Sequence, residues 1–206
     1  MARNFTEIAF TPSVRREQER NQSRTQYARV EAGSLEFNKL TDRARHFIEA
    51  RDTFFMATVS ENGWPYIQHR GGPKGFLKVL DERTLGFADF RGNRQYISVG
   101  NLRADDRVAL ILIDYATRRR LKLWARADVI ELHDNPDLVA RLEDPEYEAK
   151  VERGIVLHIE ALDWNCPQHI TPRFTEEELV DLAAPLIERI RELEARLEEH
   201  AASQSL

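Results

Sequence analysis

The chain has 206 residues, 42% of them hydrophobic, with 30 Lys+Arg against 35 Asp+Glu and a formal net charge of −5 at pH 7. No apolar run reaches the roughly 20 residues of a membrane span, and Met1-Ala2-Arg3-Asn4-Phe5 lacks the apolar stretch of a signal peptide, so the expected compartment is the cytoplasm, with no membrane partner. The single cysteine, Cys166, excludes an intrachain disulfide and a cysteine-based zinc cluster within one chain, and the acidic balance argues against nucleic acid.

Thr11-Pro12 followed by about 20 polar residues predicts one helix to Ala32, capped by Thr11. With only Val14, Tyr27, Ala28 and Val30 as apolar content, it reads as an arm lying over another surface. A second helix is expected over Thr41 to Ala50. From Thr53 the period changes to that of strands. Phe54 to Val59, a Glu61-Asn62-Gly63 turn and Pro65 to His69 form a hairpin; Gly75 to Leu80 and Leu85 to Asp89 form another. Asn93 to Leu102 predicts a short helix with Asn93 at its N-cap. Val108 to Ile113 is apolar throughout, as a strand buried on both faces would be, and it returns through Thr117-Arg118-Arg119 into Leu121 to Val129. A helical acidic insertion around residues 136–152 precedes a last strand, Ile155 to Ala161.

The expected class is mainly β with flanking helices (α+β), an antiparallel split barrel over residues 53–174 with a helical arm at 1–52. Residues 175–206 form an amphipathic helix, with a Thr175 to Glu178 capping box and a stripe of Leu182, Leu186, Ile190, Leu193 and Leu197. Pro185 should kink or weaken it. The stripe either docks on the barrel or meets a partner helix, and the poverty of both chain ends favours a dimer contact.

Charge is unevenly spread: +2 over residues 1–60, +5 over 61–130 and −12 over 131–206. A basic middle suits an anionic small ligand, though solvated surface charge gives the same count. Zinc-helix, phosphate-loop, dinucleotide-loop and serine-hydrolase motifs are absent, and the six histidines do not cluster at ligand spacings, so no metal site is expected. Two basic spots remain. Arg70-Gly71-Gly72-Pro73-Lys74-Gly75 has glycines that would let a ligand approach the backbone. Gly92-Asn93-Arg94-Gln95 would open a helix and offer an anion free N–H groups and a guanidinium. Each has a plainer reading, as a bulge and as a cap.

The run Gly75-Phe76-Leu77-Lys78-Val79-Leu80-Asp81-Glu82-Arg83-Thr84-Leu85-Gly86-Phe87-Ala88-Asp89, then Gly92-Asn93-Arg94-Gln95 and Asp106-Arg107-Val108-Ala109, resembles the pyridoxamine 5'-phosphate oxidase-like family of FMN-binding split barrels. The likeness covers roughly Phe54 to Ala161, and Asp163-Trp164-Asn165-Cys166-Pro167-Gln168-His169-Ile170 looks like the signature of a subgroup. It implies a homodimer with two FMN molecules held between subunits, acting on a small-molecule substrate. It places Lys78 on the family's strand lysine, and Arg94 with Gln95 on its phosphate pair; Gln95 replaces a lysine, for which Arg70 or Lys74 would compensate. Arg120 falls near a polar flavin contact and Trp164 near an aromatic one. With Gly75, Phe76, Leu77, Ala88, Asp89, Asn93, Asn165 and Gln168 from the same segments, these form the expected cofactor-binding set. No catalytic acid or base can be named, as expected where the flavin itself carries hydride or electrons. A Glu-rich helix stands where the true oxidase grips its substrate's phosphate, which argues against that substrate. The alternatives are a non-catalytic flavin-binding or sensing protein, and a split barrel using deazaflavin or haem, the last with His69 or His169 as axial ligand.

Overall fold

The structure, a computed structural model, describes residues 5–33, 39–165 and 167–204, without the side chains of Asn165 and of residues 199–204. Two compact units form, one of Met1–Asp114 with Arg119–Pro167, the other of Tyr115–Arg118 with Gln168–Leu206. The first holds a seven-stranded antiparallel sheet made of β1 (Thr53–Val59), β2 (Pro65–Gly71), β3 (Lys78–Val79), β4 (Thr84–Phe90), β5 (Arg107–Asp114), β6 (Arg119–Glu131) and β7 (Val151–Asn165). Its order, β2-β1-β5-β6-β7-β4-β3, is open, with β2 and β3 at the edges. This is the expected split-barrel class.

The core lies on one face. Phe54 and Met56 of β1, Leu110 and Leu112 of β5, Leu121 and Leu123 of β6 and Leu157 of β7 are buried together. Phe54 stacks on Phe76 and meets Phe87 edge-on, at centroid distances of 5.4 and 5.3 Å. Helix α4 (Asp42–Glu49) closes one opening with Ala44, Phe47 and Ile48, and Thr41 caps it by accepting from the Ala44 N–H at 3.3 Å. β5 departs from expectation. Val108, Leu110 and Leu112 are buried, but Ala109, Ile111 and Ile113 are only half-buried, as are Phe55, Ala57 and Val59 of β1. The apolar run therefore supplies a core face and a half-covered outer face.

Four other expectations are corrected. The single arm helix is two, α2 (Pro12–Arg20) and α3 (Arg24–Ala32), preceded by α1 (Phe5–Ala9). The break falls at Asn21, whose side chain donates to Glu17 O at 2.8 Å, and at Gln22, which takes a positive φ. Thr11 caps α2 as its sequence implies, and Phe5 stacks on Trp124, so the arm rests on its own chain's sheet. The strand expected at Gly75 to Leu80 is reduced to β3, because Phe76 and Leu77 are plugged into the core. The helix expected from Asn93 begins only at Ile97, as α5 (Ile97–Ala104). The acidic insertion forms one short helix, α6 (Pro136–Leu142), and β7 starts at Val151.

In the second unit, α7 (Glu176–Gln204) opens with a reciprocal capping box: Glu178 N–H donates to Thr175 Oγ1 at 3.2 Å, and Thr175 N–H to Glu178 Oε2 at 2.8 Å. The helix runs on through Pro185. Its leucine and isoleucine stripe is exposed.

Candidate functional site

A cleft of about 200 Å3 opens between β2, the end of β4, the start of β7 and the turn that leads into α5. Local sequence explains its shape. Asn93 Oδ1 accepts the Gln95 N–H at 3.1 Å, so Asn93 makes a side-chain turn four residues before the helix rather than capping it. Arg94 and Tyr96 then sit in the left-handed region, with φ of 64° and 53°. Two non-glycine residues held there within three positions are strained, and such strain persists where the surroundings enforce it, often at functional sites. The surroundings are visible: Ser98 donates to Gln68 Oε1 of β2 at 2.7 Å, and Asn101 Nδ2 to Thr58 Oγ1 of β1 at 2.9 Å, pinning α5 to the sheet. The α5 ladder begins with Gly100 N–H to Tyr96 O, leaving the N–H groups of Ile97, Ser98 and Val99 ahead of it at the positive end of the helix.

The wall of the cleft is a paired charge network. Asp89 accepts from Arg70 at 2.6 Å and from Arg153 at 3.0 Å, and the three side chains are only 7, 13 and 12% exposed. The ladder pairs Asp89 with Arg153, and the register then slips so that Phe90 faces Val151. Glu152 is the skipped residue, and that bulge delivers its carboxylate to the cleft. There it accepts from Arg91 at 2.7 Å and from the Tyr96 hydroxyl at 3.3 Å. The hydrogen bond from Arg91 comes first among the influences that hold the Glu152 carboxyl below its ordinary range. Four guanidiniums, those of Arg70, Arg91, Arg94 and Arg153, thus stand in or beside the cleft with the carboxylates of Asp89 and Glu152, and Arg153 also meets Glu131 at 3.7 Å. Among the described residues, Arg94 alone of the four has no ion pair.

Of the expected cofactor set, the structure brings Arg70, Asp89, Asn93, Arg94 and Gln95 to this cleft. Phe76, Leu77 and Ala88 are buried, and Lys78 is half-buried on β3. The glycine-rich segment has an internal explanation: a Cβ on Gly72 would lie 2.7 Å from the Phe76 ring, and Gly75, at φ 77°, donates to Arg51 O. Neither Lys74 nor Gly75 lines the cleft, and Arg70, expected to compensate for the missing lysine, is bound to Asp89. Arg120 and Trp164 lie at the other end of the β6–β7 ladder. Arg120 pairs with Asn165, eleven residues along β6 from Glu131, which pairs with Arg153; at about 3.3 Å per residue that is roughly 36 Å of strand. There Trp164 meets Phe47 edge-on at 5.0 Å, with the Arg43 guanidinium 4.4 Å over its ring. The side chain of Asn165 and the whole of Cys166 lie outside the described residues, and Gln168 belongs to the second unit.

Sequence reasoning missed Tyr66, Gln68, Tyr96, Ser98, Glu152 and Arg153. Tyr66 and Gln68 alternate with exposed residues on β2, a signal present in the Pro65 to Arg70 pattern. Arg153 carried none, since only the register of β4 on β7 places it against Asp89.

A search of curated proteins found no match. Among solved structures the chain is similar to a candidate pyridoxamine 5'-phosphate oxidase from Lactobacillus delbrueckii (23% identity, 63% of this chain and 97% of that one, TM-score 0.49). It is similar also to HupZ of Group A Streptococcus (13%, 66% and 99%, 0.50) and to an FMN-binding protein from Syntrophomonas wolfei (15%, 61% and 85%, 0.47). An F420 reductase and HutZ, the heme storage protein of Vibrio cholerae, are further neighbours, with TM-scores of 0.43 and 0.39. At these identities the likeness shows the fold alone. The family profile for pyridoxamine 5'-phosphate oxidase matches residues 40–162, more than half of the sequence and nearly the whole of the sheet. The chain belongs to the pyridoxamine 5'-phosphate oxidase family.

Proposed function

We propose that the protein is an FMN-binding flavoprotein, a cytoplasmic homodimer that passes hydride or electrons between a nicotinamide cofactor or small organic molecule and an acceptor. The observation that carries this reading is the Arg94 guanidinium on the strained turn ahead of α5, which has no ion pair among the described residues. Together with the N–H groups of Ile97, Ser98 and Val99, and with Arg70 Nε, which is buried without a hydrogen-bond partner among the described residues, it fits one phosphate monoester. A single compact basic site favours FMN over FAD, whose adenylate calls for a second site. Bound FMN would supply the redox chemistry. Asp89 and Glu152 are both tied to arginines, so they hold the cleft's guanidiniums in place rather than move protons.

Dimerisation is supported by what one chain leaves unfinished. The cleft is smaller than the roughly 300–1,000 Å3 of typical ligand pockets, so much of an FMN would extend beyond it. Trp164 and Arg120 stand at the other end of the β6–β7 ladder from the cleft wall, and a twofold partner can bring its own copies alongside the ligand. The half-buried outer face of Phe55, Ala57, Ala109 and Ile111 is apolar surface that a second copy would cover.

The absorption spectrum of the purified protein, followed by heat release and chromatography of the cofactor, tests this. FMN is expected. FAD, deazaflavin or haem, or failure to bind FMN on reconstitution, overturns it. Sedimentation tests the dimer: a 24 kDa monomer carrying stoichiometric FMN would remove the shared site.

A further inference from the structure

Trp64 is the most exposed large apolar side chain among the described residues, at 74%. Its backbone, by contrast, is firmly held. Its carbonyl accepts from Ser60 N–H and Ser60 Oγ, both at 3.0 Å, and its N–H donates to Asn62 Oδ1 at 3.3 Å. Gly63, at φ 83°, completes the turn. A single exposed apolar side chain is common on protein surfaces, so what bears on function is the fixed backbone that holds this ring and the side of the strand on which it stands.

Strand pairing says which side it serves. In β1–β2, Phe55 is opposite His69, Ala57 opposite Ile67 and Val59 opposite Pro65, and these share the outer face. Phe54 is opposite Arg70, Met56 opposite Gln68 and Thr58 opposite Tyr66, on the inner face. The Ser60 to Trp64 hydrogen bond continues the ladder by one step, so Trp64 joins the inner row with Tyr66, Gln68 and Arg70. The last three line the cleft. Ile67, 64% exposed, stands on the opposite face, the one that the dimer reading assigns to a second copy.

We propose that Trp64, with Tyr66 beside it, is the aromatic wall for the ring end of a phosphate ester whose phosphate is held at Arg94. This rests on the cleft being the flavin phosphate site, and it names the residues that select a ligand carrying a planar ring. Row and cleft are contiguous: Trp64 lies two residues, about 7 Å of strand, beyond the cleft-lining Tyr66. Stacking on a planar heteroaromatic ring needs only a π-face and an exposed indole, which is what the hairpin presents.

The experiment compares wild type, Trp64→Ala and Trp64→Phe as full-length apoprotein. FMN is titrated by flavin fluorescence, ribose 5-phosphate by calorimetry as a probe without an aromatic ring, and mass is read by sedimentation. Loss of the indole should weaken FMN about tenfold, Phe should recover most of the loss, and ribose 5-phosphate should bind all three alike. Equal FMN affinity in Trp64→Ala and wild type overturns the proposal. So does a change in dimerisation by Trp64→Ala, which would make Trp64 a contact between copies. A wild type that takes ribose 5-phosphate but no FMN overturns the flavin reading itself, and the wall with it.

Discussion

Arg70 and Arg94 flank one cleft in opposite states. Arg70 leaves a strand, is nearly buried, and gives its charge to Asp89, which Arg153 grips from the other side. Arg94 sits on a strained turn, exposed and without an ion pair among the described residues. A buried guanidinium needs a fixed counter-charge, because losing water without a partner is far more costly than the pairing is favourable. An exposed guanidinium keeps its water until an anion replaces it. The first arginine therefore shapes the site and the second is free to bind.

The largest expected effect breaks the first half of that contrast. Asp89→Ala leaves Arg70 and Arg153 facing each other in a nearly buried wall, and about 3–5 kcal/mol of stability should be lost in urea denaturation. A loss below about 1 kcal/mol would mean that water reaches the pair, and the contrast between a bound Arg70 and an exposed Arg94 would fail. The next test takes the second half. Arg94→Ala should weaken FMN by at least about tenfold, a charge-assisted contact being worth roughly 1.5–3 kcal/mol, and Arg119→Ala on the β5–β6 hairpin should do little. Equal affinities for the two variants would move the phosphate elsewhere. Arg94→Ala should leave the urea midpoint in place.

Two smaller effects check that the contrast is local. Thr175→Ala removes half of the capping box of α7 and should cost about 1 kcal/mol of helix stability, seen as fraying by circular dichroism, with FMN affinity unchanged. At the far end of α5, the hydrogen bond from the Arg107 side chain, followed by that from its backbone, lowers the Asp105 carboxyl from 3.8 to about 2. A depressed carboxyl stabilises the fold fully above its ordinary pKa, and the contribution disappears as pH falls through the folded value. Asp105→Asn should therefore lower stability at neutral pH and flatten the acid limb of the stability curve between pH 3.8 and about 2, leaving ligand binding nearly as before. An unchanged acid limb would mean that the pair is open to solvent.

Signals contained within a few residues were legible in advance. The Thr11 and Thr175 caps, the Glu61-Asn62-Gly63 turn and the strand period of β1 and β2 each depend on neighbours in sequence. The basic turn at Arg94 was legible for the same reason. Where local rules competed, they misled. Asn93 satisfies a turn as readily as a helix cap, and the short bond of its side chain to Gln95 N–H postponed α5 to Ile97. Gly72 and Gly75 read as room for a ligand, whereas the Phe76 ring and the Glu49 carbonyl occupy that room, and Arg51 O takes the Gly75 N–H.

By itself, the sequence determined most of the strands and helix caps, the antiparallel split-barrel class and the arginine-bearing turn, because hydrogen-bonded caps, turns and side-chain periods are short-range. Only the tertiary structure decided which arginines are bound and which is free. That depends on a ladder register pairing Asp89 with Arg153 and slipping at Glu152, and on helix α5 being pinned to Thr58 and Gln68. Partners 30 to 64 residues apart meet through the energy of the whole sheet, and no local pattern encodes that meeting.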